Sequence, residues 1–448
     1  MSNERSLSLS TAILININIM LGAGIFLNTV KLSKLAGALS GFSYLIIGLL
    51  MLPLVISIAR LTGMYPDGGF YAYGRNEISP FAGFLSAWAY FIGKLGSGAL
   101  MAHFSLKLIQ QLIPALAAIP ILALDCIVIG MFVLLNMLNI KAGGRIQTGF
   151  TILKLVPICF AILVGFFLFD PSNLSAIHRI WEGIPSSLPF LFYAAMGFEA
   201  ACVLSCKIKD PCKNAPRAII ISYAIAISIA IIYQLMFYGS VGTALSAIVQ
   251  KPAYLHAFPA LLQKLLPHLP KIALYLQAIL HLALASSALG GSYGIMFSNT
   301  WNLYTLASHK HTFLHGLLTK LNRHAIPVAC VLIEGVIYVT YLLVSKGNQV
   351  HLQPMSSLGV VFAYTLSVLA LFLAKIRRPK TAIPLWIPII GLLNCAILVY
   401  ACIKSLFEKG FSSLVTFMIL MGLGGIMFLI TAITNGNSSQ TDKQKPMC

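Results

Sequence analysis

Long apolar stretches separated by short polar ones follow one another along almost the whole chain. A helix needs about 20 apolar residues to cross the hydrocarbon layer of a bilayer. The stretches of roughly that length are Leu9–Val30, Leu39–Leu61, Phe81–Lys107, Ile119–Leu138, Gly149–Phe169, Ser187–Cys206, Ala218–Val241, Ile272–Asn299, Ile326–Val344, Leu358–Ala374, Ala382–Ile403 and Leu414–Ile433. The pattern therefore predicts an all-α integral membrane protein with twelve transmembrane helices.

The composition agrees with this pattern and excludes a soluble domain. Of the 448 residues, 58% are hydrophobic and only 9% are charged, and the mean hydropathy is +0.89. The formal net charge is +19, but in a membrane protein a basic excess reflects topology, so no nucleic-acid partner is expected. Loops on the side of the N-terminus hold more Lys and Arg than the opposite loops. This predicts a multi-pass protein of the cytoplasmic membrane with both termini in the cytoplasm.

Glycines interrupt two of the apolar stretches. The first stretch contains Gly22-Ala23-Gly24, and the sixth contains Gly197 two residues before Glu199. Glycine costs about 1 kcal/mol relative to alanine inside a helix, and a broken helix at membrane depth is tolerated where its free backbone groups line a cavity. We therefore predict broken helices 1 and 6 and a binding site between them. For the first pair, close helix packing is the alternative.

Interruptions in spans one and six predict two inverted repeats of five spans each, because transporters built from inverted halves are broken at matching positions. The first repeat covers about 9–169 and the second about 187–374. The extra helices cover about 382–433. Residues 1–435 form a single transporter domain, and 436–448 are expected to be a disordered cytoplasmic tail.

Four motifs in order resemble those of the amino acid–polyamine–organocation (APC) superfamily of permeases, nearest to the arginine/agmatine antiporter-like members. They are Gly22-Ala23-Gly24-Ile25-Phe26, the loop Tyr65–Tyr73, the run Arg145–Leu155, and Gly197-Phe198-Glu199 followed by Asp210-Pro211 and Asn214–Arg217. The resemblance implies the LeuT-type 5+5 inverted-repeat fold. The chain departs from it at Lys207, near which many members carry an acid.

The resemblance also implies a division of labour in binding an amino acid. Backbone N–H groups at the first break receive the carboxylate, and carbonyls at both breaks receive the ammonium. Aromatic side chains close the site, although ordinary packing is the alternative for the two tyrosines. The substrate-binding candidates are Ile19, Gly22, Ala23, Gly24, Ile25, Lys94, Tyr193, Met196, Gly197 and Tyr293.

Ionisable groups inside a membrane are costly, so each is a candidate for function. In the resemblance, Lys154 stands where sodium-coupled members of the fold hold their cation, which makes it a candidate for proton coupling. The alternative is a lysine that extends to the membrane surface. Glu199 is the second candidate proton carrier, whereas Asp125 and Glu334 are expected to pair helices.

Lys94 lies at the centre of the third apolar stretch. A fixed positive charge near the substrate would repel arginine or agmatine. If Lys94 pairs with Glu199 or Asp125, the pocket is neutral and a neutral amino acid is the expected substrate. If it faces the pathway unpaired, it favours an acidic substrate.

The leading hypothesis is a secondary active transporter of a neutral amino acid, working by proton-coupled symport or exchange. The alternatives are an acidic or a cationic amino-acid/polyamine antiporter, and a non-transporting sensor on the same fold. An enzyme is disfavoured because His103 and His281 have no partner motif. The expected partners are an amino acid, protons and the lipid bilayer, with a possible homodimer. No cofactor and no metal are expected, and His309, His311, His315 and His324 are predicted to lie in a solvated basic loop.

Overall fold

The computed structural model describes residues 6–250, 253–347, 349–379, 383–409 and 411–434. Its regular elements in those ranges are helices, accompanied by two isolated β-bridges, Leu7–Ile208 and Gly37–Arg179. This confirms the all-α prediction for the described residues. The predicted cytoplasmic tail at 436–448 lies outside them.

Nineteen α-helices follow in chain order within the described ranges. They are α1 Leu9–Met20, α2 Ala23–Ala36, α3 Ser40–Met64, α4 Gly69–Glu77, α5 Pro80–Leu112, α6 Pro114–Ala117, α7 Ile121–Asn136, α8 Ile140–Leu168, α9 Gly183–Ala195, α10 Ala200–Val203, α11 Pro211–Val241, α12 Thr243–Ser246, α13 Ala257–Leu265, α14 Pro270–Ser308, α15 His315–Leu318, α16 Val328–Ser345, α17 Gln349–Arg377, α18 Trp386–Lys409 and α19 Phe411–Thr434.

In the described part of the chain, nine helical segments are long and apolar enough to cross a membrane, with α1 and α2 counted as one. The other three predicted spans are also helical but differ in kind. The 33-residue α5 carries Lys94, His103 and Lys107, α7 has only 16 residues, and the sixth span is divided into α9 and α10. A total of twelve spans therefore stays a prediction.

The core forms around α5, which is buried along most of its length and packs against α14 and α17. The α3 helix packs against α11, and α17 also contacts α18. By contrast, α19 exposes large apolar side chains such as Ile433, which is 81% exposed. An apolar exposed surface of this kind is expected where lipid replaces water.

A cluster of polar side chains closes the bundle where α5 begins and α17 ends. Glu77, at the end of α4, is fully buried. Its carboxylate accepts hydrogen bonds from the Tyr65 hydroxyl at 2.5 Å and from the Arg378 guanidinium, and its carbonyl accepts one from Arg377 at 2.6 Å. The cluster joins the segment from Tyr65 to Glu77 to the end of α17, 300 residues later, and it marks what we call the Glu77 end of the bundle.

The prediction of a solvated histidine loop is wrong for His311, which is only 4% exposed. The Tyr71 hydroxyl lies 2.7 Å from Nε2 of His311, and the rings of Tyr71 and His309 are 4.4 Å apart. Arg75 donates to His309 at 3.3 Å. These contacts tie the loop after α14 to α4. Sequence reasoning missed them because the partners are more than 230 residues apart.

We expect the folded protein to lose stability as the pH falls below 6.5. Burial, aided by the Arg75 guanidinium, lowers the pKa of both His309 and His311 from 6.5 to about 4. The unfolded chain therefore binds these protons at higher pH than the folded one. Stability is complete above pH 6.5 and declines as the pH falls toward 4, by at most about 1.4 kcal/mol per pH unit for each histidine.

Melting temperatures of detergent-solubilised protein between pH 8 and pH 5 test this expectation. The variant His311→Gln should show a shallower pH dependence than the parent. The matched control is His268→Gln, which changes an exposed histidine. If His311→Gln retains the full pH dependence of the parent, His311 is not a source of it.

Candidate substrate site

The first predicted interruption is present and begins at Leu21. The α1 helix ends at Met20 and α2 begins at Ala23. The N-cap of α2 is Gly22, which has no side chain that could accept a hydrogen bond from the first N–H groups of the helix. The Leu21 N–H donates to the Ile17 carbonyl at 2.9 Å, and the Gly22 N–H donates to Ile19 at 3.3 Å. The first N–H groups of α2 have no partner within the helix, which makes this end suitable for an anion.

The Lys154 side chain lies against the C-terminal end of α1. Its side chain is fully buried, and its Nζ donates to the carbonyls of Asn18 and Leu21, the latter at 3.3 Å. Ser287 donates to the same Leu21 carbonyl at 3.1 Å. The negative end of a helix dipole favours a cation here. The alternative, a lysine extended to the membrane surface, does not describe this side chain.

The second predicted interruption is also present. The α9 helix ends at Ala195, Met196 is extended, and Gly197 adopts a φ of +129° that favours glycine. A Cβ atom built on Gly197 would lie 2.7 Å from the backbone nitrogen of Met20. The two interruptions therefore touch each other directly, and only a glycine fits at the contact.

Asn16 connects the short helix α10 to the first break. Its Oδ1 accepts from the Ala201 N–H at 2.9 Å, and its Nδ2 donates to Ser222 at 3.0 Å. Because α10 has only four residues, this side chain supplies a hydrogen bond that such a short helix lacks. It ties α1, α10 and α11 into one unit beside the site.

Lys94 and Glu199 form an ion pair next to the second break. The Lys94 Nζ lies 2.5 Å from the Glu199 carboxylate, and the two side chains are 3% and 0% exposed. The other carboxylate oxygen accepts from the Gly197 N–H at 2.7 Å. Of the two possibilities for Lys94, the structure contains the paired one. The pair brings no net charge to the site.

Tyr193 and Tyr293, the two aromatic candidates, occupy different surroundings. Tyr193 lies beside the first break, with its Cδ1 3.3 Å from a Cβ built on Gly24, and its hydroxyl accepts from Ser97 at 3.0 Å. Tyr293 packs in an aromatic group with Phe132, at a ring distance of 5.6 Å, and other phenylalanines. A role in the site stays a prediction for both.

The remaining candidates at the breaks are buried. Ile19, Ala23, Ile25 and Met196 are between 0% and 3% exposed. Ile19 approaches the second break, since its Cγ2 would lie 2.9 Å from a Cβ on Gly197. The structure thus brings the residues of the two breaks together with Tyr193 and the Lys94–Glu199 pair.

Sequence reasoning missed Met101 and Ser97, which lie on the same face of α5 as Lys94. A Cβ built on Gly22 would lie 2.9 Å from the terminal methyl of Met101, and one on Gly291 would lie 2.7 Å from its sulfur. Residues at spacings of three and seven share a helix face. The spacing of three and seven residues from Lys94 was the signal in the sequence that could have identified Ser97 and Met101.

Gly24→Ala is expected to destabilise the protein as well as weaken substrate binding. A Cβ at Gly24 would lie 2.9 Å from the Cα of Ala194, so α2 and α9 would have to separate. Overpacking of this kind costs about 1–3 kcal/mol. The melting temperature in detergent measures the effect, with Gly149→Ala as the control because no atom lies within 4 Å of a Cβ there. Equal melting temperatures of the two variants would contradict the expectation.

Asp125 and Glu334 pair helices, as predicted. The Asp125 carboxylate lies 2.7 Å from Nδ1 of His103, which joins α7 to α5. The Glu334 carboxylate accepts from Thr300 at 2.9 Å, which joins α16 to α14. The pairing of His103 with Asp125 could not be predicted from the sequence, because the two residues are 22 positions apart and no local pattern links them.

Comparison with known proteins assigns the family. The amino acid permease family model matches residues 7–431. The chain belongs to the amino acid permease family. It is 26% identical over 454 residues to an uncharacterized transporter of Mycobacterium tuberculosis, covering 98% of this chain and 94% of that protein. It is 24% identical over 389 residues to a D-serine/D-alanine/glycine transporter of Escherichia coli O6:H1, covering 82% and 79%.

The family and the apolar helices together establish a multi-pass membrane permease. The resemblance to APC permeases is thereby confirmed, and the protein is a transporter rather than an enzyme. An amino acid is the class of substrate that the family implies.

Proposed function

We propose that this permease is a secondary active transporter of a neutral amino acid that works by alternating access. The proposal includes twelve spans and two inverted repeats of five. One observation carries it: the two helix interruptions touch at Gly197 and Met20, beside an ion pair without net charge. The free N–H groups that begin α2 therefore lie close to the free carbonyl groups that end α9, inside the protein.

A zwitterionic amino acid needs partners for both of its charges when it leaves water. The N-terminal end of α2 offers N–H groups and a positive dipole end to the carboxylate. The carbonyl end of α9, at Tyr193–Ala195, offers acceptors to the ammonium. The two ends meet across the Gly24–Ala194 contact, so one small molecule can reach both.

The Lys94–Glu199 pair supports a neutral side chain on the substrate. An arginine or glutamate side chain would meet one partner of like charge while the opposite charge is already paired. The E. coli relative is named for D-serine, D-alanine and glycine, all of which are neutral. The similarity therefore agrees with the charge argument.

For coupling, we propose Lys154 as the proton-carrying group in preference to Glu199. In the described part of the chain Lys154 is held by neutral carbonyls and contacts no carboxylate, so loss of its proton leaves no unpaired charge. Protonation of Glu199 would instead leave Lys94 charged and alone. A sodium requirement is not expected, because the lysine ammonium already occupies a cation position.

Uptake by proteoliposomes tests the function. Radiolabelled glycine, alanine, serine, glutamate and arginine are offered to liposomes with an alkaline interior, in sodium and in potassium buffers, and to protein-free liposomes as a control. We expect uptake of neutral amino acids in both buffers and little uptake of glutamate or arginine. Strong arginine uptake would contradict the specificity, strict sodium dependence would contradict the coupling, and no uptake at all would favour the sensor alternative.

A further inference from the structure

A cavity of about 590 Å³ lies at the end of the bundle opposite Glu77. Lys107 near the end of α5 and Lys346 after α16 line it, together with the hydroxyls of Ser345, Ser412 and Thr416. Among the described residues that line it, none is acidic. The two ammonium groups give the cavity a positive potential that attracts anions, and the hydroxyls can donate hydrogen bonds to an anion.

His103 also lines the cavity, and its ring is oriented by Asp125. It is 4% exposed, and its Nδ1 lies 2.7 Å from the Asp125 carboxylate. This carboxylate accepts the Nδ1 hydrogen and so leaves Nε2 as the free position of the ring. Within the described part of the chain, Nε2 has no hydrogen-bond partner although it is buried. A buried polar atom without a partner requires an explanation, and a ligand supplies one.

Gly347 covers the Nε2 edge of His103. A Cβ built on Gly347 would lie 2.1 Å from Nε2, so a side chain there would collide with the ring. Both Lys346 and Gly347 have positive φ, 52° and 66°, and this sharp turn places the glycine over the imidazole. For Nε2 to reach the cavity, this turn must move.

The inner wall of the cavity is apolar. Leu27, Leu100, Leu352 and Met355 line it, and Leu27 follows Gly24 by three residues. The cavity thus has a cationic part and an apolar part, and its apolar part leads toward the first helix break. Its volume falls within the range of small-molecule pockets.

We propose that this cavity is a second binding site, for the carboxylate of an amino acid before it reaches the helix breaks. Lys107 and Lys346 attract the carboxylate, and an N–H···O hydrogen bond between Nε2 of His103 and the carboxylate forms once the turn at Lys346 and Gly347 moves. Only the identity of the ligand as an amino acid rests on the proposed function. The recognition of a carboxylate rests on the cavity itself.

Cysteine modification tests the site without requiring transport. In the full-length variant Ser412→Cys, an anionic sulfonate-bearing methanethiosulfonate reagent labels the cavity wall, and mass spectrometry of the peptide around residue 412 gives the rate. Acetate is the probe ligand and acetamide its uncharged control. At pH 6 we expect acetate, and not acetamide, to slow the labelling. His103→Gln should raise the acetate concentration needed by about tenfold or more, and Lys107→Gln should raise it as well.

The matched control is His268→Gln, an exposed histidine that does not line the cavity, which should leave protection unchanged. Equal protection by acetate and acetamide, or equal protection in the parent and His103→Gln, would overturn the proposal. Protection without uptake of any amino acid would refute the proposed function and leave this site standing. Uptake without protection would do the reverse.

Discussion

Glu199→Gln is expected to abolish transport and to lower the stability of the protein by about 3–5 kcal/mol, the usual cost of leaving one partner of a buried ion pair alone. The substitution keeps the shape of the side chain but leaves Lys94 charged and buried, since this ammonium lies 2.5 Å from the carboxylate. It also weakens the bond that the carboxylate receives from the Gly197 N–H at 2.7 Å. Melting temperature in detergent and uptake by proteoliposomes measure the two effects.

The matched control is Glu408→Gln, which changes a glutamate that is 53% exposed and 4.0 Å from its partner Lys404. Exposed pairs contribute about 0–1 kcal/mol, so this variant should resemble the parent. The double variant Lys94→Met with Glu199→Gln removes both charges and should be more stable than either single variant. A Glu199→Gln protein as stable as the control would contradict the importance of the pair.

The same pair is expected to set substrate charge. Lys94→Met leaves Glu199 as an unpaired anion beside the site, which should admit arginine more readily and leave neutral substrates usable if the protein folds. Competition of unlabelled arginine against a labelled neutral substrate measures this change. An unaltered preference would place the ion pair outside the substrate's reach.

Lys154→Ala is expected to uncouple transport from the pH gradient. In the parent, one proton per substrate and a gradient of one pH unit accumulate a neutral substrate about tenfold at equilibrium, because one pH unit corresponds to about 1.4 kcal/mol. The variant should only equalise the two concentrations. The ratio of internal to external labelled substrate at long times measures this directly.

Two further variants sharpen the coupling test. Lys154→Arg retains a cation that does not deprotonate in proteins, so it should bind substrate and fail to couple. Lys404→Ala changes a lysine that is 59% exposed and should couple normally. Tenfold accumulation by Lys154→Ala would show that another group carries the proton.

The helix breaks could be predicted from the sequence because their cause is local. Gly22 and Gly197 disfavour a continuous helix whatever the rest of the fold is, and a helix is interrupted at both positions. The partner of Lys94 could only be narrowed to two possibilities, because the choice depends on the distance between α5 and the residues before α10. That distance is set by packing along the whole length of α5.

Other features depended on long-range packing and were missed. The pairing of His103 with Asp125 joins α5 to α7, and the burial of His311 requires α4, more than 230 residues earlier. The role of Tyr293 in substrate binding stays a prediction, and its ring packs on Phe132, a contact that its place in the chain does not reveal. Such contacts depend on which way each helix faces, which a single sequence leaves open.

The cavity beside Lys107 and the closed cluster at Glu77 lie at opposite ends of the same helices. A molecule that filled the cavity would keep the surrounding helices apart. Under alternating access, the Glu77 cluster at the opposite end would then stay closed. Such a molecule would inhibit transport by filling the cavity, and it would compete there with the carboxylate of an incoming amino acid. The asymmetry also makes its action one-sided, so an inhibitor unable to cross the bilayer would work only from the face on which Lys346 is exposed.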